Sequence, residues 1–200
     1  MNINLIYFYG GENMKRILAI MMCLCMVVAL AACGDFGDSY IEDEKTPQEE
    51  FAELQGAIKT QPTYTTKASV YKDLDGGDIF LTADIKNNSE KTMNTIKIAF
   101  VAWDIDGNPI LIKSASGLTE DAYVKELNLG STEILAGQTW LGETEEEVFG
   151  LRVASEQTSI SYVEAIVISY STPDGGEWTN PCYYEWKSTF GGQQLEDWMK

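Results

Sequence analysis

The sequence predicts an all-β domain built as an antiparallel sandwich, reached through a secretory leader and a short acidic tether. From Tyr64 onward apolar residues recur with a period of two, as expected of strands that bury one face. Clusters of Gly, Asp, Asn and Ser separate these runs at residues 73–77, 87–91, 104–109 and 172–176, where tight turns need them. No long stretch of helical period follows residue 58, which argues against a βαβ architecture.

The leader comes first. Lys15 and Arg16 precede an unbroken apolar run over residues 17–29, which ends in Leu30-Ala31-Ala32-Cys33. A basic start, an apolar middle and small residues at the end form a secretory signal peptide. The run is shorter than the roughly 20 apolar residues of a membrane span, and acidic rather than basic residues follow it. Leu30-Ala31-Ala32-Cys33 resembles a bacterial lipobox. The resemblance implies a diacylglyceryl thioether on Cys33 and cleavage between Ala32 and Cys33. A thiol is the nucleophile that takes up the lipid, and two acyl chains suffice for stable anchoring. Gly10-Gly11-Glu12-Asn13 would be encoded by purine-rich codons, as a ribosome-binding site is, so translation is expected to start at Met14.

Residues 33–62 read as the tether. Acidic residues and glycines over 34–45 disfavour packing. Thr46-Pro47-Gln48-Glu49 then gives a capping box with proline at the first helical position. Phe51, Leu54 and Ile58 follow at helical spacing, predicting a helix from 47 to about 58 that either packs on the domain or spaces it from the membrane.

Residues 63–200 form the domain. A first strand alternates over 64–72. In the next, Ile79, Leu81, Ala83 and Ile85 face one way and Thr82, Asp84 and Lys86 the other. Ile96, Ile98, Phe100 and Ala102 form another inward row, and after a turn residues 110–112 return the chain. Strands are expected over 123–129 and 134–140, with a weaker one over 150–154. The strongest late strand spans 161–170, with Tyr162, Glu164, Ile166, Ile168 and Tyr170 on one face and Val163, Ala165 and Val167 on the other. Thr172-Pro173-Asp174-Gly175-Gly176 then turns into Glu177-Trp178-Thr179.

Asn87-Asn88-Ser89, followed by Ile96, Ile98, Phe100-Val101-Ala102-Trp103-Asp104 and Asp106-Gly107, resembles the FxLYD type of immunoglobulin-like domain found on bacterial surface lipoproteins. Phe100 and Asp104 match that motif, whereas Ala102 stands where leucine is usual and Trp103 where tyrosine is. Ala136-Gly137-Gln138 is similar to the family's small-residue turn. The resemblance spans roughly residues 64–170 and implies an immunoglobulin-like antiparallel β-sandwich. Residues 166–186 are similar to uncharacterised domains in lipoproteins of Gram-positive bacteria. Neither resemblance carries catalytic residues. In physical terms Phe100 fills the core, Trp103 covers the opposite face and Asp104 starts a turn by accepting from backbone amides.

Composition narrows the chemistry. The formal net charge is −17, and about −18 once Glu12, Lys15 and Arg16 leave with the leader. Such a surface disfavours nucleic acid and anionic headgroups. It serves solubility, or a cationic partner. The absence of histidine excludes Ser-His-Asp and Cys-His machinery and the usual zinc sites. Cys23 and Cys25 depart with the leader and Cys33 takes lipid. Cys182 therefore has no disulfide partner and is either a buried small hydrophobe or an exposed thiol.

Three groups of residues are weighed for function. Asp73, Asp75 and Asp78 lie in D-x-D-G-G-D, where glycine falls out of register for a calcium loop, so an acidic hairpin turn is favoured. Asp104 and Asp106 are read the same way. Glu143, Glu145, Glu146 and Glu147 would support glycoside hydrolysis only if two of them were held roughly 5–9 Å apart across a cleft, and a solvated loop is preferred. Among the aromatics, Trp178 lies beside a turn amid polar residues. Trp178, Asn180 and Tyr183 are the candidates for partner binding, against a background in which most aromatics fill cores. No metal, cofactor or catalytic residue is expected. The expected function is a non-enzymatic binding or interaction module, held by lipid on the outer face of the cell membrane. Its partner would be an envelope protein or a cell-wall ligand. The alternatives are an accessory subunit of an envelope complex and a carboxylate-based cell-wall glycan hydrolase.

Overall fold

The structure, a computed structural model, describes residues 45–73, 77–117, 119–130 and 132–199. The leader, Ala32, Cys33 and the acidic stretch to residue 44 lie outside the described residues. The first element is helix α1, Pro47–Lys59. Its capping box forms as the sequence demands: the Thr46 hydroxyl accepts from the Glu49 amide at 3.3 Å, and the Glu49 carboxylate accepts from the Thr46 amide at 2.8 Å. Glu49 and Glu50 in the first turn and Lys59 in the last complement the helix dipole. Leu54 and Ile58 are buried, so α1 packs on the domain and does not merely space it.

Eight strands follow: β1 Thr63–Lys72, β2 Ile79–Asn87, β3 Asn94–Trp103, β4 Lys125–Asn128, β5 Thr139–Trp140, β6 Gly150–Val153, β7 Tyr162–Ser171 and β8 Glu177–Thr179. They make two antiparallel four-stranded sheets. In one, β1 pairs with β2, whose other edge carries β5 against Ile85 and Lys86 and β6 against Ile79–Thr82 in turn. The other runs β4-β3-β7-β8. The inward rows expected of β2 and β3 meet between the sheets: Ile79, Leu81, Ala83 and Ile85 face Ile96, Ile98, Phe100 and Ala102, joined by Leu151, Val153, Ala165 and Val167.

Gly142 and Gly150 bring the β5–β6 connection hard against β2. A Cβ on Gly142 would stand 2.7 Å from the Ala83 carbonyl oxygen, so only glycine fits there. The expected returning strand over residues 110–112 is not a strand. Single bridges link Trp103 to Pro109 and Ile112 to Ala122, and Ile112 is buried in the inter-sheet core.

A second helix, α2, Tyr183–Phe190, lies where no helix was expected. Aromatic and β-branched residues are poor helix formers, and its N-cap Cys182 makes no side-chain cap bond. Packing makes the helix: Tyr183, Trp186 and Phe190 share one buried stripe. That stripe and α1 cover the outer face of the second sheet, meeting Ala99, Val101, Trp103, Ile166 and Ile168. Strands β3 and β7 are thus buried on both faces over most of their length. The fold is mostly β, with two helices laid on one sheet.

One face assignment changes. Opposite Lys97 and Ile98 stand Ser169 and Val167, so Ile168 is an extra residue in β7. This bulge turns Tyr170 into the inter-sheet core, away from the face it would share with Ile166 in a regular strand. A compensating irregularity lies in β3 between Asn94 and Lys97, where Thr95 adopts φ 48°. A β-branched residue in that region is strained, and both neighbouring pairings hold it there.

Candidate functional site

The segment singled out in the sequence is held by packing and hydrogen bonds within the domain. Trp178 is half-buried and stacks on Tyr170, with ring centroids 5.2 Å apart and planes at 26°. Asn180 is 2% exposed: its amide donates to the Val167 carbonyl at 2.8 Å, and its side-chain oxygen accepts from the Cys182 amide at 2.9 Å. Tyr183 is buried and donates its hydroxyl to Glu126 at 2.7 Å. Burial first, then this carboxylate, pushes the Tyr183 phenol far up. Glu126 is held below the ordinary carboxylate range, chiefly by Lys97. The exposed ring of the segment is Tyr184, at 79%. Cys182 is a buried small hydrophobe whose thiol is pushed up by burial, which disfavours thiolate chemistry.

The acidic groups lie in turns. Asp104 Oδ1 accepts from the Asn108 and Asp106 amides at 2.8 and 3.0 Å, closing the turn after β3. Glu143, Glu145, Glu146 and Glu147 are all exposed, on a tight turn in which the Thr144 amide donates to the Glu147 carbonyl at 2.9 Å. Asp73 and Asp78 close the β1–β2 hairpin through their backbones, with Arg152 paired to Asp78, while Asp75 lies outside the described residues. Among the described residues no group of three or more His, Cys, Asp or Glu is placed to hold a metal.

The feature that sequence reasoning passed over is Glu164. It sits in β7 on the face shared with Ile166, in the half of the strand not covered by β8, which pairs only with Ser169–Ser171. Strand β1 runs alongside here, and Thr65 donates its hydroxyl to the Ala165 carbonyl at 2.6 Å. Between β1 and β7 lies a trough of about 390 Å³ in which Glu164 is the single charged lining residue, among Ala68, Val70, Trp103, Tyr162, Leu195 and other uncharged neighbours. A smaller cavity of about 210 Å³ opens on the other side of the same carboxylate, towards α1, and is lined also by Lys59, Lys67 and Trp186. Burial pushes the Glu164 carboxyl above its ordinary value, and only the Ala165 backbone N–H works against that. None of the ion pairs among the described residues includes Glu164. The sequence did carry a signal: one carboxylate within the apolar row of residues 162–168.

A second groove, about 560 Å³, lies between α1 and α2. Its lining mixes Phe51 and Leu54 with Glu50, Glu185 and the exposed Lys45–Glu53 pair. Water reaches its charges freely, so it offers less selective electrostatics than the trough.

No curated protein matches the chain. A solved structure of a hypothetical protein from Peptoclostridium difficile 630 is similar, with a TM-score of 0.55 and 13% identity over 70% of this chain and 99% of that one. At such identity the likeness concerns the fold alone. Residues 80–193, from β2 through α2, match a family described as being of unknown function, DUF5780.

Proposed function

This chain belongs to that DUF5780 family of unknown function, and we propose that it is a lipid-anchored extracytoplasmic binding module without enzymatic activity. The observation that carries the binding reading is the trough beside Glu164. A cavity that sets one convergent charge among uncharged side chains is a usual form of a small-ligand site, and its volume falls in the common range. A half-buried carboxylate without an ion-pair partner opposes folding, and such groups gather at functional sites.

The anchor is the lipid on Cys33, supported by the basic, apolar and small-residue order of residues 15–33. No helix among the described residues is long and apolar enough to cross a membrane. We further read the domain as an immunoglobulin-like sandwich of the FxLYD type. The strand order β4-β3-β7-β8 supports this, because it follows the C′-C-F-G order of that fold, as does the β1-β2-β6 pairing, which follows A-B-E with the two-residue β5 added on β2. Phe100 in the core and Asp104 at the turn after β3 support the same reading.

An accessory role in an envelope complex is the second reading, favoured by Leu141 and Phe149, which stand 48% and 42% exposed beside Trp140. Intact mass of the protein extracted from membranes of its native host tests the anchor. Cleavage before Cys33 with two or three acyl chains is expected, and Cys33→Ala should abolish both. An unlipidated wild-type mass overturns the anchor.

A further inference from the structure

We propose that the trough between β1 and β7 binds an alkylammonium group, a protonated primary amine on an apolar stem, with Glu164 as its counter-ion. The inference rests on the reading of the domain as a binding module and names the chemistry of its ligand. Glu164 is the only charge in the trough, and the remaining wall is supplied by Trp103, Val163, Leu195, Met199 and their uncharged neighbours. A carboxylate has about four acceptor sites. Here the Ala165 amide is its one hydrogen-bonding neighbour that counters burial, so acceptor capacity remains.

The class of ligand follows from what each alternative would cost. An anion would meet the carboxylate's repulsion with no cation in the trough to offset it. A neutral apolar molecule would strip more water from Glu164 and return nothing for it. An ammonium group supplies up to three donors and the opposite charge, and charge-assisted bonds of this kind are the strong ones. Its alkyl stem would lie on the apolar wall, as lysine stems do on protein surfaces. The chain's net charge of −17 raises the local concentration of cations. Lys59 and Lys67 line the adjoining cavity and not the trough, so the trough side of Glu164 is left for a ligand.

Isothermal titration calorimetry on the full chain in non-ionic detergent tests this, with n-pentylamine and Nα-acetyl-lysine methylamide as probes. Their neutral counterparts are n-pentanol and the Nε-acetylated lysine derivative. Both amines, or one of them, should bind while the neutral counterparts do not. Glu164→Gln should weaken binding by about tenfold or more, and Glu185→Gln, in the groove between the helices, should leave it unchanged. Preference for the lysine derivative identifies a peptide side chain as the ligand, and preference for pentylamine a free amine; either supports the proposal. The amine–alcohol comparison needs only the wild-type chain, so it stands even where a variant misfolds. Equal binding of pentanol and pentylamine overturns the ammonium assignment while upholding a ligand in the trough. No binding by any probe at millimolar concentration overturns the inference, while the lipid anchor is tested separately by the membrane experiment.

Discussion

On the inner face of the β4-β3-β7-β8 sheet, aliphatic side chains of facing strands interlock, with Phe100 as the one large fully buried ring. On the outer face the cover is two helices and the C-terminal segment, and the contacts are aromatic: Trp103 with Phe190, Phe51 with Phe190, and Trp186 with Phe190, each with centroids 5.5–5.9 Å apart. The inner face is closed by another sheet of matching extent. The outer face is covered only where the helices and the C-terminal segment lie, and beside them the trough opens around Glu164. A sheet pairs its whole face with another sheet, whereas helices cover stripes. The incomplete cover is where this fold leaves an open trough.

The contrast can be broken from either side. Phe100→Ala empties the closed inner core and should cost about 3–5 kcal/mol of global stability, read as a fall in the urea midpoint with the slope unchanged. Trp186→Ala, at the same near-complete burial, should cost about 3 kcal/mol, with α2 loosening before the sheets do. Hydrogen exchange reads this directly: the Trp186 and Gly191 amides, bonded to the Cys182 and Lys187 carbonyls, should lose protection while those of β3 and β7 keep theirs. Uniform loss across helix and sheets would show that the two faces form one cooperative unit.

Glu164→Gln is the smallest change and has the opposite sign. The folded carboxyl binds its proton more tightly than the unfolded one, whose ordinary value is 4.5. Its contribution to stability is therefore fully retained below about pH 4.5, and is lost as pH rises through the raised folded value. Charges facing it are Lys59 from α1 and Lys67 from β1, both across the smaller cavity, with the phenol of Tyr162 on its own strand. Urea midpoints of wild type and variant should coincide at low pH and diverge in favour of the variant towards neutrality, by about 1 kcal/mol or less. A variant less stable than wild type at pH 7 would show that Glu164 is already paired within the chain.

Much of the inner face was legible in residue order. The alternation at Ile79–Ile85 and Ile96–Ala102 fixes which side chains meet, because a strand sends successive side chains to opposite faces. The capping box at Thr46 and Glu49 announced α1 for an equally local reason. Helix α2 was illegible because its residues have little helical preference of their own. Tyr183, Trp186 and Phe190 become helical only against Val101, Trp103 and Ile166, residues distant in sequence. Burial of the candidate residues was illegible for the same reason. Asn180 and Tyr183 sit amid polar residues yet are buried, and Trp178 is partly buried, whereas Glu164 sits amid apolar residues and lines a cavity.

By itself the sequence determined the excess of negative charge, the strand rows and the first helix. These depend on neighbours within a few residues, where backbone geometry sets the period and local hydrogen bonds set the ends. Tertiary structure alone decided that β3 and β7 are buried on both faces, that a bulge at Ile168 turns Tyr170 inward, and that one carboxylate is left in a trough of otherwise uncharged residues. Each depends on which distant segment packs against a given face, and burial is a property of that packing rather than of the residue.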